Sequence, residues 1–265
     1  MMFDITSPQN PRIKSVMRLQ SKQSERREQN LIVVEGFREI VLALKSGFES
    51  VELLVAPDVC DYDRWISLRN SFPKSYTLSA DSFTRLAYRE GSDGFIALFR
   101  PHYFVPGDFT GRSNPVFIVL EGVEKPGNLG AVLRTADAAK VDAVWLCDTP
   151  TDIFNPNAIR SSVGCIFTVP VLQTTSIEAL QWFHENSVIT LAAALTAQES
   201  YHQIDLTCPV ALVFGTEATG LSDLWLHRAD KQILIPMRGQ IDSLNVSISV
   251  AVMVFEAMRQ RNFKS

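Results

Sequence analysis

At 265 residues with 46% hydrophobic content, the chain is long enough to bury either one large core or two smaller ones, and two domains is the division expected. No window approaches the length and apolarity of a membrane span, and the opening "MMFDITSPQNPRIK" lacks the apolar core of a secretory signal, so a cytoplasmic protein without a membrane partner is expected. The net charge of −4 excludes a uniformly positive surface that coats nucleic acid, and any RNA partner has to meet a local patch. Cys60, Cys147, Cys165 and Cys208 show no CxxC spacing, which argues for free structural thiols and against a disulfide framework or a metal site.

The first such patch lies near the start. Arg12, Lys14, Arg18, Lys22, Arg26 and Arg27 recur at three- to four-residue steps, which predicts a helix carrying several charges on one face. Glu25 and Glu28 dilute the field, so the run reads either as a solvated helix face or as a grip for RNA phosphates. From Leu31 onward, "LIVVEG", "FREIVLALKSG", "VELLVAP", "DYDRWISLRNSF", "SADSFTRLAYREG" and "DGFIALFRP" alternate strand-like with helix-like patterns, the signature of an α/β domain. "HYFVPGDFTGRSNP" then loses periodicity, and a boundary is placed there: a domain over 1–100, a linker over 101–113 and a second domain over 114–265.

The pattern restarts with "PVFIVLEG", a short β-branched run of the kind found in buried parallel strands. A helix over Asn128–Lys140, strand "AVWLCD", a short helix after "FNPNAIRSS", strand "IFTVPVL", helix "SIEALQWFHEN" and strands "VITLAAAL", "VALVFG" and "QILIPM" follow, with helix "LSDLWLHRA" between the last two. A long helix closes the chain, and Leu244 to Phe255 is apolar almost all round, as a helix buried on several sides should be. The whole predicts a parallel sheet with helices on both faces, and no internal repeat is present. Trp65, Trp145, Trp182 and Trp225 fall in periodic apolar segments and are expected in the core, while His102, His184, His202 and His227 are left to surface or capping roles.

Ligands of open parallel sheets gather at the carboxyl ends of strands, so loops of unusual composition at those ends carry the functional argument. Three qualify. In "EGVEKPGNLG", Pro126 and Gly127 force a turn and Asn128 is expected to cap the helix; in "VFGTEATGLS", Gly215 and Gly220 bracket Glu217; in "LIPMRGQIDSLNVSIS", Ser243, Asn245 and Ser247 open the last helix. Neither a G-x-G-x-x-G fingerprint nor a P-loop is present, and the loops carry a carboxylate with little positive charge. That composition suits a neutral or cationic small molecule, such as an adenosyl group bearing a sulfonium, better than a triphosphate.

Together "PGNLGAVLRTADA", "FGTEATGLS" and "IPMRGQIDSLNVSISVAVMVFE" resemble the motifs of SpoU/TrmH-type RNA ribose methyltransferases of the SPOUT superfamily. "ITSPQNPRIK" and "VVEGFREIVLAL" look like the accessory substrate-binding domain that many of these enzymes carry. The chain departs from the pattern at Ala218, where glycine is commoner, and at Gln240 and Asp242 in the third loop. The resemblance implies a SPOUT-type, mainly parallel α/β sheet with a C-terminal trefoil knot, preceded by a smaller α/β domain. It also implies a homodimer in which two subunits share each cleft. The activity implied is methyl transfer from S-adenosylmethionine to a ribose 2′-hydroxyl of tRNA or rRNA.

By the same resemblance the catalytic set is Arg134, Asn128, Glu217, Ser243 and Asn245, and the cofactor contacts are Leu195, Thr196, Gly215, Ile235, Met237 and Leu244. RNA contacts fall to the N-terminal run and to Arg160, with Ser162 beside it. A guanidinium is always protonated, so Arg134 is read as gripping a substrate phosphate and aligning the hydroxyl, with Glu217 holding Arg134 or the cleft in place. Two rival readings stay open: a catalytically inactive RNA-binding or ribosome assembly factor on the same fold, and a nucleotide-dependent oxidoreductase, which the missing glycine fingerprint weakens.

Overall fold

The computed structural model describes residues 2–88, 91–123, 125–149 and 151–263. Arg89 and Glu90 of the stretch read as a helix, and Glu124 of the first strand-end loop, lie outside the described residues. In chain order the elements are β1 (Met2–Ile5), α1 (Pro11–Ser21), α2 (Gln23–Gln29), β2 (Ile32–Glu35), α3 (Phe37–Lys45), β3 (Ser50–Val55), α4 (Tyr62–Arg69), β4 (Lys74–Leu78), α5 (Ala80–Leu86) and β5 (Phe95–Phe99). There follow β6 (Val116–Glu121), α6 (Pro126–Ala139), β7 (Ala143–Cys147), α7 (Pro156–Ser161), α8 (Cys165–Thr168), β8 (Val171–Thr174), α9 (Ser176–Glu185) and β9 (Ile189–Ala193). The chain closes with β10 (Glu199–Ser200), β11 (Val210–Phe214), α10 (Asp223–Arg228), β12 (Lys231–Leu234) and α11 (Val246–Gln260). It packs as two units, Met1–His102 with Asp152–Thr168, and Tyr103–Thr151 with Val169–Ser265.

The first unit is built on a five-stranded sheet in the order β1-β4-β3-β5-β2. β5 runs antiparallel to both neighbours, while β1, β3 and β4 are parallel. β1 and β4 carry too few apolar residues in alternation to be read as strands from sequence; β4 pairs with the largely buried β3, and β1 adds to the edge of β4. Ile13, Val16 and Leu19 of α1 pack with Val33, Leu54, Ile96 and Leu98 of the sheet.

The basic run is not one helix. Asn10 caps α1 by accepting from the Arg12 N–H, with Pro11 in the first turn, and Lys22 adopts an extended conformation that separates α1 from α2. The run also divides chemically. Arg26 is buried, donates to the carbonyls of Leu19 and Gln20, and forms an ion pair with Asp152 at 2.5 Å. Arg12 pairs with buried Glu52. Lys14, Arg18, Lys22 and Arg27 are exposed, with Glu25 standing 3.5 Å from Arg18.

The second unit is a seven-stranded sheet, β10-β12-β9-β11-β6-β7-β8, in which every pairing is parallel. β6, β7 and β11 are buried almost throughout, which explains their unbroken apolar runs. Phe117, Val119, Ala143 and Trp145 form one core cluster with Ala179 and Phe183 of α9 and Trp225 of α10. Trp145 and Trp225 are fully buried and Trp182 packs against the same cluster. α11 lies along α6 and touches β11. The chain runs from β6 out to β7 and β8, then returns so that β11 sits between β9 and β6. The order thus reverses beside β6, the place where α/β sheets open a crevice.

Two local readings are corrected. Within "IFTVPVL", Cys165–Thr168 is a single helical turn and only Val171–Thr174 is strand. Left-handed backbone at Val163 and Gly164 precedes the turn, and Phe167 packs edge-on against Phe48 at 5.0 Å, so tertiary contact overrides the β-branched local preference. α11 is not buried on all sides: Val246, Val250, Met253, Val254, Ala257 and Met258 are covered, whereas Ile248 is 51% and Phe255 41% exposed. All four cysteines are free, with Cys147 and Cys165 buried. Burial, with Asp148 and Glu121 close by, pushes the Cys147 thiol well above its ordinary pKa.

Removing one partner of a buried ion pair strands the other, so Arg26→Ala is expected to lower the unfolding free energy by about 3 kcal/mol. Urea denaturation followed by circular dichroism measures this, and a loss below about 1 kcal/mol would mean that the pair contributes no more than an exposed one.

Candidate active site

A cleft of about 460 Å³ opens at the carboxyl ends of β9, β11 and β12. Leu195 and Thr196 follow β9, Gly215 follows β11, and Ile235, Met237, Ser243 and Leu244 follow β12; all seven line the cleft. Its charged lining residues are Glu217 and Asp242, with no lysine or arginine among them.

The β11 loop is closed by a tight hairpin. Thr216 and Gly220 exchange backbone hydrogen bonds at 3.1 and 3.0 Å, and the Thr216 hydroxyl lies 2.8 Å from that of Thr219. A Cβ at Gly215 would collide with the Gly220 carbonyl, so no other residue fits there without moving the loop. Gly220 takes φ +69°, the left-handed region that favours glycine. Ala218, between them, is absent from the residues with positive φ, which is why alanine is accommodated where the family pattern has glycine.

Glu217 at the tip of this hairpin joins all three loops. Its Oε1 accepts from Asn128 Nδ2 at 3.1 Å and from Asn245 Nδ2, while Lys125 Nζ lies 3.5 Å from Oε2. Asn245 Nδ2 also stands 3.2 Å from Asn128 Oδ1. The Asn245 side-chain oxygen accepts from the Ser247 N–H at 3.0 Å, so one residue caps α11 and braces the carboxylate. The hydrogen bond from Asn128 foremost holds the Glu217 carboxyl below its ordinary pKa against the opposing effect of burial, with Lys125 and the Val246 backbone adding to it. At neutral pH the group is an anion that accepts and cannot donate.

Other expected residues fall in different settings. Asn128 is not the helix cap: α6 begins at Pro126, and Asn128 lies inside its first turn with its amide turned to Glu217. Arg134 sits in the middle of α6, exposed, and makes no hydrogen bond or ion pair among the described residues, so Glu217 does not hold it within one chain. Ser243 is exposed and bonds Asp242 at 3.2 Å. Arg160 is exposed on α7, whereas Ser162 is fully buried with its hydroxyl donated to the Ile159 carbonyl.

Sequence reasoning passed over Glu121. At the end of β6 its carboxylate accepts from the Ser222 N–H at 2.7 Å, the Ser222 hydroxyl at 2.6 Å and the Ser176 hydroxyl at 3.2 Å. Ser176 in turn accepts from the indole of Trp225. The carboxylate thus ties the far end of the hairpin loop to the starts of α9 and α10. Its one sequence signal was a carboxylate closing an otherwise apolar strand.

Among the described residues, no group of three His, Cys, Asp or Glu side chains could hold a metal ion, and no helix is long and apolar enough to cross a membrane. The parallel α/β sheet carries its cleft at the strand ends, and the lining is free of cationic side chains, which does not suit a phosphate-rich ligand. Residues 115–255 match the SpoU rRNA Methylase family, and the chain belongs to it. Residues 10–97 match the MRM3-like substrate binding domain.

The chain is 31% identical to the Bacillus subtilis 23S rRNA (guanosine(2553)-2′-O)-methyltransferase, over 96% of this chain and 98% of the relative. Among solved structures, an RNA 2′-O ribose methyltransferase superposes with a TM-score of 0.86 at 36% identity, covering 98% of this chain and 99% of the other. An AdoMet-bound rRNA methyltransferase from Sinorhizobium meliloti gives a TM-score of 0.89 at 27% identity, covering 97% and 98%.

The hydrogen bonds that favour ionised Glu217 set a pH dependence. Because its folded-state pKa is depressed, the stabilisation they provide is complete above the ordinary carboxylate range and is lost as pH falls through the depressed value. Asn128→Ala removes the leading cause and should move the Glu217 midpoint upward. Carboxyl ¹³C NMR titration reads this directly, and an unmoved midpoint would overturn the assignment.

Proposed function

We propose that the chain is an S-adenosylmethionine-dependent enzyme that methylates a ribose 2′-hydroxyl of tRNA or rRNA in the cytoplasm. One observation supports this most. The loops after three neighbouring strands build a cleft whose charged groups are all carboxylates, which suits a sulfonium cation and opposes a phosphate-rich cofactor. Its volume lies within the range of small-molecule sites. Leu195, Gly215, Ile235, Met237 and Leu244 would hold the adenosyl part with backbone groups and apolar walls, and Thr196 adds a hydroxyl. When bound, the cofactor supplies an electrophilic methyl group.

The protein's own part is orientation. A ribose hydroxyl is a weak nucleophile, and no histidine lies in the three loops or lines the cleft to act as base. Arg134 presents a free guanidinium that grips an RNA phosphate bidentately and aligns the hydroxyl, while the proton leaves to that phosphate or to water. Glu217, clamped by Asn128 and Asn245, keeps the three loops in register, and Ser243 offers a hydroxyl at the cleft wall. Asn128, Glu217, Ser243 and Asn245 are positioning residues.

The finer architecture belongs to the same reading. The chain after β12 passes the closed hairpin at 215–220 before α11 returns to α6, and a trefoil knot at this crossing is part of the proposal. So is a homodimer. Ile248 and Phe255 leave an apolar face on α11, and Arg134, which meets no carboxylate of its own chain among the described residues, serves a cleft shared with a second copy. RNA is gripped through the first unit by Lys14, Arg18, Lys22 and Arg27, with Arg160 a further contact; Arg12 and Arg26 are already engaged by Glu52 and Asp152.

Arg134→Ala should reduce methyl transfer to RNA at least a hundredfold and leave S-adenosylmethionine affinity within twofold of the parent, since its assigned work is orientation alone. Isothermal calorimetry beside a tritiated-methyl transfer assay separates the two, and loss of both together sinks the assignment. Neutralising Lys14, Arg18, Lys22 and Arg27 together should flatten the slope of log affinity against log salt by about 0.7 for every single-strand phosphate left without its cation. If the fourfold variant keeps the parent's slope, the run is a solvated face only.

A further inference from the structure

The first unit contains a small cleft that the methyl-transfer reading does not use. It is lined by Gln20 of α1, Val33 and Glu35 of β2, Tyr88 after α5, and Pro156, Ile159 and Arg160 of α7, and encloses about 20 Å³. Glu35 Oε2 accepts from the Tyr88 N–H at 2.8 Å, whereas Glu35 Oε1 is shielded from solvent and has no hydrogen-bond partner among the described residues. Gln20 Nε2 donates to the Leu86 carbonyl at 2.7 Å and makes no hydrogen bond to that oxygen. Over the mouth stands the ring of Tyr88, 46% exposed, with the Arg160 guanidinium 5.0 Å from its centroid.

A buried carboxylate oxygen without a donor is costly, and native folds keep such groups where a partner arrives later or where a water sits. The cleft has room for about one water and therefore for the edge of a ring, not for a whole ring. An exposed tyrosine flanked by a guanidinium is the platform on which unstacked RNA bases lie. Stacking there leaves the base edge facing Glu35.

From this arrangement we infer that the cleft reads a guanine of single-stranded RNA: the base stacks at Tyr88 and Arg160, and its N1–H and N2–H donors meet the free Glu35 oxygen. The choice of base follows from charge. Guanine alone presents two adjacent donors on its pairing edge. Adenine and cytosine place a ring-nitrogen lone pair beside their amino group, and uracil flanks its N–H with two carbonyls, so each of these turns an acceptor toward an anion. This guanine is a contact of the first unit and is not assigned as the methylated nucleotide. The inference rests on the proposal that RNA is the substrate, and it names what that RNA must carry.

The test uses the full chain and fluorescence anisotropy at fixed salt, with labelled oligouridylate hexamers bearing one central guanosine, inosine or adenosine. The parent should bind the guanosine oligomer about tenfold more tightly than the adenosine one, with inosine, which lacks the 2-amino donor, between them. Glu35→Gln keeps its one oxygen as acceptor for the Tyr88 N–H and puts an NH2 donor where the free acceptor stood, and it should abolish the preference. Tyr88→Ala should weaken the guanosine oligomer more than tenfold while circular dichroism melting stays as in the parent. Equal binding of all three oligomers by the parent, or an intact preference in Glu35→Gln, overturns the inference and leaves the cleft holding a water. Calorimetry with S-adenosylmethionine on the same preparations judges the enzymatic reading separately: failure there leaves the base preference standing or falling on the RNA arm alone.

Discussion

One carboxylate joins the three loops that carry the functional argument. Three loops that leave three different strand ends have no backbone reason to stay together, because each is short, polar and exposed at its tip. Glu217 supplies the reason by receiving the amides of Asn128 and Asn245 on one oxygen, with Lys125 near the other. The carboxylate can converge on them only because the hairpin beneath it is closed by the Thr216–Gly220 exchange, and the hairpin closes only because Gly215 carries no Cβ. A steric fact at one glycine therefore propagates through a turn to an electrostatic junction, and from there to the walls of the cleft. The group is exposed enough that its energy as an ion pair is small, so its contribution is geometric: it holds the three loops in one arrangement.

A second carboxylate does comparable work one layer down. Glu121 fixes the far end of the same hairpin against α9 and α10, whose residues belong to the aromatic core around Trp145, Phe117 and Phe183. The hairpin is thus held at its tip by Glu217 and at its base by Glu121. Core packing is close and incompressible, so anchoring the base transmits the rigidity of the core to the loop that lines the cleft. The first unit shows a parallel arrangement in Arg26, which charge alone would place on the surface but which the fold engages with Asp152 and two helix-end carbonyls.

How much of this was legible in the sequence depended on the kind of signal. The buried parallel strands β6, β7 and β11 announced themselves as unbroken apolar runs, and the three loops by proline, glycine and asparagine at the ends of those runs. What stayed hidden was decided by tertiary partners. Periodicity made the N-terminal cations equivalent, yet the break at Lys22 and the presence of Asp152, more than a hundred residues away, divide them into structural and exposed members. Asn128 reads as a cap because asparagine near a helix start usually is one. Pro126 takes the first helical position instead, which moves Asn128 inside the turn and frees its amide for Glu217. The helical turn at Cys165–Thr168 was illegible for the same reason: its β-branched residues favour strand locally, and burial of Cys165, Ile166 and Phe167, the last against Phe48, favours the turn.

The separation of charge along the chain answers how a protein of net charge −4 handles a polyanion together with a cationic cofactor. A cleft for a sulfonium needs negative potential, and a surface for RNA needs positive potential. Placed on the same wall, the two would cancel within a Debye length of roughly 10 Å. Here the cleft lining holds Glu217 and Asp242 alone among charged residues, and the exposed cations Lys14, Arg18, Lys22, Arg27 and Arg160 belong to the first unit. Arg134, on α6 of the second unit, is exposed and outside the lining, so its guanidinium adds no positive charge to the cleft wall. Net charge is therefore the wrong quantity by which to judge this chain as an RNA partner. What matters is the local charge: the cleft lining holds carboxylates without a lysine or arginine, and the first unit carries exposed cations on α1, α2 and α7.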